Sequence, residues 1–261
     1  MNLVGKRGVV LGVLNKKSIA AACASKLMSE GAEVICSYLP VKGDEERRHA
    51  LASRAVSGLP SNYMLPCDVT SDESVKAFFD GVKDIFGSID FIVHGVSLIP
   101  SEASVGNLVE LPREAFIASM NVSVYSLILI SKCAKSLMPK GGSILTFSYL
   151  SADALVPGYE LLGICKAALQ TSVSYLAFDL SKENIRVNVL SAPPFPSSSA
   201  IGHTAYGELS DTYSKKLQPT GTPSVNDILN VAIFLISDNS IGVTGDRIFV
   251  DGGFHNMSAA I

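Results

Sequence analysis

The chain lacks any excess of positive charge. Its 21 Lys and Arg are outnumbered by 24 Asp and Glu, for a formal net charge of −3 and a pI of about 5.8. Nothing here suggests the basic field that holds nucleic acid or an acidic membrane surface as a main partner; a local basic patch for a strongly acidic protein stays compatible with that balance. Cysteine pairs are missing too. Cys23, Cys36, Cys67, Cys133 and Cys165 lie far apart, none forms C-x-x-C, and their number is odd. Reduced thiols in a cytoplasmic compartment are expected. The four histidines, His49, His94, His203 and His255, have no metal-ligand spacing, so no metal is expected. No uninterrupted apolar run reaches about 18 residues, and a membrane span is not expected. The opening MNLVGKRGVVLGV enters a strand at once, with no signal peptide expected.

What is present is a regular alternation. The 261 residues are 48% hydrophobic, enough for one large α/β domain. Short apolar runs rich in β-branched residues recur at 8–13, 33–37, 62–66, 91–94, 143–147, 186–190 and 247–250. They do not alternate strictly, as suits strands covered on both faces. Helix-length segments lie between them at 18–30, 73–86, 114–137, 159–180 and 225–237. The pattern predicts a single α/β domain over 1–261, built on a doubly wound parallel sheet of the Rossmann type. Gly31, Gly87 and the Gly141-Gly142 pair are placed as helix C-terminal caps, and Ser71-Asp72 and Asn226-Asp227 as helix starts. Residues 193–219, with Pro193, Pro194, Pro196 and three serines, break the rhythm and are read as a substrate-covering loop.

The first strand ends at Gly12 without G-x-G-x-x-G. The turn to the next helix, Val13 to Ala20, still presents backbone N–H groups and a helix N-terminus suited to a pyrophosphate. Ser18 is placed either to cap that helix or to bond a phosphate. Asp68, in Cys67-Asp68-Val69 beyond the third strand, is placed either to accept from an adenine amino group or to cap a turn. The second strand ends at Ser37-Tyr38-Leu39 with neither an acid for a ribose 2′-hydroxyl nor an arginine for a 2′-phosphate at its tip. Lys42, Arg47 and Arg48 follow among Asp44, Glu45 and Glu46, which leaves NADH against NADPH open.

After the fifth strand come Tyr149, then Tyr159, then Lys166 seven positions on. Seven residues is nearly two helical turns, so both side chains project from one face, with Pro157-Gly158 marking the helix start. A lysine there can hold the hydroxyls of a nicotinamide ribose, and its charge favours negative charge on a nearby oxygen. Tyrosine is a neutral donor near pH 7. Taken alone the pair is a common coincidence; its place at the carboxyl ends of the strands is what gives it weight.

These residues carry a resemblance. Gly12-x5-Ser18-Ile19-Ala20, Cys67-Asp68-Val69, Phe91-Ile92-Val93-His94, Ser148-Tyr149-Leu150, Tyr159-x6-Lys166-Ala167, Ile185-Arg186-Val187-Asn188 and Val250-Asp251-Gly252-Gly253-Phe254 together resemble the enoyl-(acyl-carrier-protein) reductases of type II fatty acid synthesis, a divergent branch of the short-chain dehydrogenase/reductase superfamily. The Tyr149, Tyr159-x6-Lys166 arrangement is the specific part, since most of that superfamily has Tyr-x3-Lys. A wider spacing suits conjugate reduction, in which hydride adds at C3 while charge collects on the C1 oxygen. At 1.5 Å per residue, seven positions separate Tyr and Lys by roughly 10 Å along the axis, against roughly 6 Å for four.

The resemblance implies NADH- or NADPH-dependent reduction of enoyl thioesters on acyl carrier protein, NADH being favoured, by a cytoplasmic homotetramer. It implies catalytic roles for Tyr159, Lys166 and Tyr149. Cofactor contacts fall to Gly12, Ser18, Ile19, Leu39, Asp68, Val69, Val96, Lys166, Phe195, Ser197, Ser198 and Ser199. Substrate contacts fall to Ser97, Ile99, Tyr149, Tyr159, Ala200 and Ile201. Two departures stand out: Pro193 and Pro196 replace a usual glycine and threonine after strand six, and Ser97 replaces a usual glycine, which narrows the substrate pocket. Pro196 has no N–H or hydroxyl to offer a phosphate. Two other readings stay open at this point, a superfamily member acting on a different enone or carbonyl and a non-enzymatic dinucleotide-binding regulator.

Overall fold

A computed structural model describes residues 3–100, 107–193 and 222–256. Seven strands, β1 (Arg7–Leu11), β2 (Glu33–Tyr38), β3 (Met64–Pro66), β4 (Phe91–His94), β5 (Gly142–Ser148), β6 (Ile185–Ser191) and β7 (Arg247–Phe249), form one sheet in the order β3-β2-β1-β4-β5-β6-β7. Every pairing is parallel. Parallel neighbours need crossovers, and helices supply them on both faces. The helices are α1 (Ile19–Ser29), α2 (Glu45–Ala55), α3 (Asp72–Phe86), α4 (Arg113–Met120), α5 (Ser126–Ala134), α6 (Glu160–Asp179) and α7 (Val225–Ile236).

Strand residues divide their side chains between two cores. Val9, Leu11 and Ile92 face α3, α5 and α6 with Phe78, Leu127, Ile130 and Leu169. Val10, Phe91 and Val93 face α1, α2 and α7 with Leu27, Ala52, Ile228 and Ile233. Burial on both faces is why the strands read as continuous apolar runs, and the doubly wound sheet expected from the sequence is observed.

The differences have local causes. Helix α2 was not expected: it carries EERRHALASRA, and Ala52 alone is buried, so no apolar stripe marks it. Asp44, at its N-cap, pairs with Arg48 at 3.1 Å and Arg47 at 3.7 Å. Helix α7 starts at Val225 rather than at Asn226-Asp227, its N-cap Ser224 forming a capping box with Asp227. Ser71 does cap α3, accepting from Ser74 N. The expected helix 114–137 is not uniform. A π-helical turn, Asn121–Tyr125, separates α4 from α5. Residues Arg113–Leu137 and Glu160–Asp179 are each long and apolar enough to cross a membrane by length and composition, with mean hydropathies of 1.5 and 1.3. Both lie against the sheet with one face in the core.

Candidate active site

The strand order reverses between β1 and β4, and the carboxyl ends of such strands are where ligands of doubly wound sheets bind. Gly12, with φ at +95°, lets the β1 end touch the β4 end: a Cβ there would lie 2.5 Å from Gly95 O. Gly12 N donates to Ser37 Oγ at 3.1 Å and Gly95 N to Leu11 O at 3.0 Å. Ser18 occupies the N-cap position of α1 without a capping hydrogen bond. Its hydroxyl turns back on the loop, donating to Asn15 O at 2.6 Å and accepting from Leu14 N at 3.4 Å, and Ile19 packs beside the α1 core. Asp68 caps its own turn, Oδ1 accepting from Thr70 N and Thr70 Oγ1 at 2.9 and 2.7 Å. Val69 is buried beside it, and Leu39 is exposed at the tip of β2.

The other side of the site carries the tyrosines. Tyr149 follows β5, and Leu150–Ala152 make a short 3-10 turn. Tyr159 is the N-cap residue of α6 rather than a residue inside it, as had been expected; its carbonyl accepts from Gly163 N at 2.6 Å and so closes the first turn. The Tyr149 and Tyr159 rings lie 5.2 Å apart, tilted by 51°, in a cluster with Leu150 and Val156. Gly163 makes this approach possible, since a Cβ there would sit 2.7 Å from Ser151 O. Lys166, on the next turn of α6, is 8% exposed and donates to Phe147 O at 2.8 Å. Burial lowers its pKa to about 8, with a smaller opposing effect from Cys165.

His94 was absent from the expected site set, yet it joins three elements at the site. It ends β4, opposite Thr146 of β5, and is buried. Ser126 Oγ donates to Val122 O at 2.6 Å and can therefore accept the His94 Nε2–H at 2.9 Å. Nδ1 lies 2.9 Å from Thr146 Oγ1, whose hydroxyl also reaches His94 O at 3.2 Å. Burial first, and then the Lys166 charge, lower the pKa of this ring to about 3, so it is neutral near pH 7. The π-helical turn aims Ser123 at the same loop: Leu98 N donates to Ser123 Oγ at 3.1 Å, and Ser97 Oγ lies 3.4 Å from it. Ser97 thus turns its hydroxyl toward the helix, on a half-buried stretch with Val96 and Ile99. Serines three apart in an apolar helix gave the only sequence trace of this arrangement. Two further motif residues prove structural. Arg186 donates to Leu235 O, Ser237 O and Val243 O, and Asn188 to Val243 O, tying the end of α7 to β6. Pro193 is buried just after β6, while Pro196, Phe195, Ser197, Ser198, Ser199, Ala200 and Ile201 lie outside the described residues.

Among the described residues no group of three or more His, Cys, Asp or Glu is placed to hold a metal ion. A nucleotide fits better: close backbone approach at Gly12, a helix N-terminus beside it, and a buried ammonium across the site are complementary to pyrophosphate and ribose.

A family model described as enoyl-(acyl carrier protein) reductase matches residues 12–255. The chain is 36% identical over 256 residues to the enoyl-(acyl-carrier-protein) reductase (NADH) of Enterococcus faecalis, covering 98% of this chain and 99% of the relative. It is 37% identical over 254 residues to that of Bacillus subtilis, covering 97% of each. The solved reductase of Anaplasma phagocytophilum, in complex with NAD, superposes with a TM-score of 0.89 at 36% identity, over 99% of this chain and 95% of that one. The Bacillus cereus reductase with NADP+ and an indole naphthyridinone gives 0.91 at 35% identity, over 99% and 100%.

Proposed function

The chain belongs to the enoyl-(acyl-carrier-protein) reductase family, and from that premise we propose that Tyr149, Tyr159 and Lys166 are the residues with which it works. It is an oxidoreductase of fatty acid synthesis that reduces the trans-2 double bond of enoyl thioesters borne by acyl carrier protein. NADH supplies, when bound, the hydride that adds at C3 of the thioester.

The residues of the chain do the rest. Tyr159 donates its phenolic hydrogen bond to the thioester oxygen and stabilises the negative charge that gathers there before C2 is protonated. Lys166 holds the ribose of the cofactor and adds positive charge behind that tyrosine. Tyr149 lines the substrate side, with Ser97 and Ile99. Gly12, Ser18, Ile19, Leu39, Asp68, Val69 and Val96 take the rest of the cofactor. With Asp68 Oδ1 spent on Thr70, Oδ2 serves the adenine.

NADH is favoured because the relatives are named NADH reductases and because Asp44 already engages Arg47 and Arg48, two of the three cations that follow the β2 tip. Residues 1–261 act as a single catalytic domain, in a cytoplasmic homotetramer without a membrane span. Apolar side chains left exposed on α4, α5 and α6, among them Ile117 at 57%, Tyr175 at 70% and Phe178 at 79%, support assembly through those helices.

The observation that carries the reading is the 5.2 Å approach of Tyr149 and Tyr159 beside a buried Lys166. The test follows cofactor absorbance with crotonyl and longer enoyl thioesters. Oxidation of NADH faster than NADPH is expected. Turnover confined to ketones, or none, would overturn it.

A further inference from the structure

A polar cluster outside the tyrosine pair is left over by this account. Arg247 opens β7, Gln170 lies on α6 one turn beyond Lys166, and Asp153 ends the turn that follows Tyr149. The two hydrogens of Arg247 Nη1 go to Asp153 Oδ1 and, at 2.6 Å, to Gln170 Oε1. With its oxygen held by the guanidinium, Gln170 turns its NH2 to Ser148 Oγ, donating at 2.9 Å, and to Asp153 Oδ2 at 3.5 Å. Ser148 is the residue before Tyr149.

Arg247 also reaches the far side of the pair. Its guanidinium carbon lies 4.8 Å from the centre of the Phe249 ring, and that ring stacks on His255 at 3.8 Å with an 11° tilt. His255 Nδ1 is 3.0 Å from both oxygens of Asp251, which also accept from Gly253 N and His255 N. Phe254, carried by this turn, packs on Tyr149, Leu150, Val156 and Tyr159. One chain of contacts therefore runs from Ser148, through Gln170, Arg247, Phe249 and His255, to the turn whose Phe254 packs against the tyrosine cluster.

We infer that Arg247 is a positioning residue for the reduction: it fixes the Tyr149 turn against α6 and seats the C-terminal turn carrying Phe254 on the tyrosine pair. The turn's own bonds, Ala152 N to Tyr149 O, Asp153 N to Leu150 O and Ala154 N to Leu150 O, are local and do not hold it to the helix. Gly163 lets the turn approach, and Arg247 and Gln170 supply the directed contacts. The inference rests on the reading of Tyr149 and Tyr159 as the substrate site.

Its test compares Arg247→Met, Arg247→Lys and Asp153→Asn, singly and as Arg247→Met with Asp153→Asn, by steady-state kinetics and hydrogen exchange. Arg247→Met should lower kcat for an enoyl thioester about tenfold while KM for NADH stays within about twofold, because a small displacement of a reacting group is costly and Lys166 is untouched. Amides of Ala152, Asp153 and Ala154 should exchange faster, with α6 unchanged. Arg247→Lys should recover part of the rate, and the double variant should be no worse than the poorer single one. Wild-type exchange in Arg247→Met, or losses that multiply in the double variant, would overturn the inference. Should Arg247→Met fail to fold, Arg247→Lys and Asp153→Asn carry the same readouts. A wild-type protein inert toward enoyl thioesters would sink the functional reading instead, and the exchange data would still decide whether Arg247 holds the turn.

Discussion

At the scale of single residues, the site separates groups that must stay neutral from one that must stay charged. In the proposed mechanism Tyr159 is the neutral donor, and Tyr159→Phe should cut kcat by roughly 10²–10³, as loss of one donor to a developing oxyanion does, with KM for NADH little changed; stopped-flow traces at saturating NADH measure this, and full turnover would remove the role. His94 is the second neutral group. Its unfolded form gains a proton below the ordinary histidine pKa of 6.5, while the folded form stays neutral down to about 3. The unfolded state therefore binds more protons in that window, and wild-type stability should fall as pH drops through it. His94→Asn lacks this dependence, so the Tm gap between the two proteins should narrow from pH 7 to pH 4. A constant gap would show that His94 is already protonated, or exposed, in the folded protein.

At the scale of elements, most of what positions these groups could be read from the chain, and the unread parts share one physical character. Strands buried on both faces announce themselves by composition, so β1 through β7 and α1, α3, α6 and α7 were legible to within a residue or two at most ends. Helix α2 was not, because one buried alanine leaves no stripe. The π-helical turn was not, because a single extra residue in a helical ladder does not alter apolar periodicity enough to show; its effect is on where Ser123 and Ser126 point. Tyr149, Tyr159 and Lys166 were legible through spacing, whereas His94, Gln170, Asp153 and Arg247 depend on contacts between residues as many as 94 positions apart. Gly163 lies between the two kinds: visible as a glycine inside a helix, explained only by the turn it admits. Gly163→Ala would drive a methyl into Ser151 O, and should cost about 1–3 kcal/mol of stability by overpacking. Because the displaced turn is the one bearing Tyr149, chemical denaturation and kcat should fall together in this variant, and a stable protein with wild-type kcat would contradict the close approach.

At the scale of the whole molecule, the apolar faces left outside the two cores set the expected assembly. Tyr175 and Phe178 sit on α6, whose other face packs on β5 and β6, and Ile117 sits on α4, which packs on α6, so their exposure is not a matter of loose packing. Light scattering at micromolar protein should report a tetramer, and Tyr175→Glu with Phe178→Glu should shift it to smaller species; a monodisperse monomer in the wild type would exclude assembly through α6. Helix α6 bears Lys166 near one end and these aromatic residues near the other, so the same substitutions should also lower specific activity on dilution.

The hydrogen bond from Lys166 to Phe147 O has a consequence in simple valence. An ammonium has three hydrogens, and a backbone carbonyl of the sheet consumes one of them permanently. Two remain, the number that the vicinal diol of the ribose in the proposed mechanism can receive. Above about pH 8 that count drops, because the buried amine gives up a proton. Cofactor affinity should then weaken, while the fold should gain stability relative to Lys166→Met up to the ordinary lysine pKa of 10.5, since the unfolded chain holds the extra proton there. Lys166→Arg would keep its charge at every such pH yet present a rigid fork in place of a rotating head. Its cofactor affinity, titrated by fluorescence between pH 7 and pH 10, should be weaker than wild type at the low end and flat throughout.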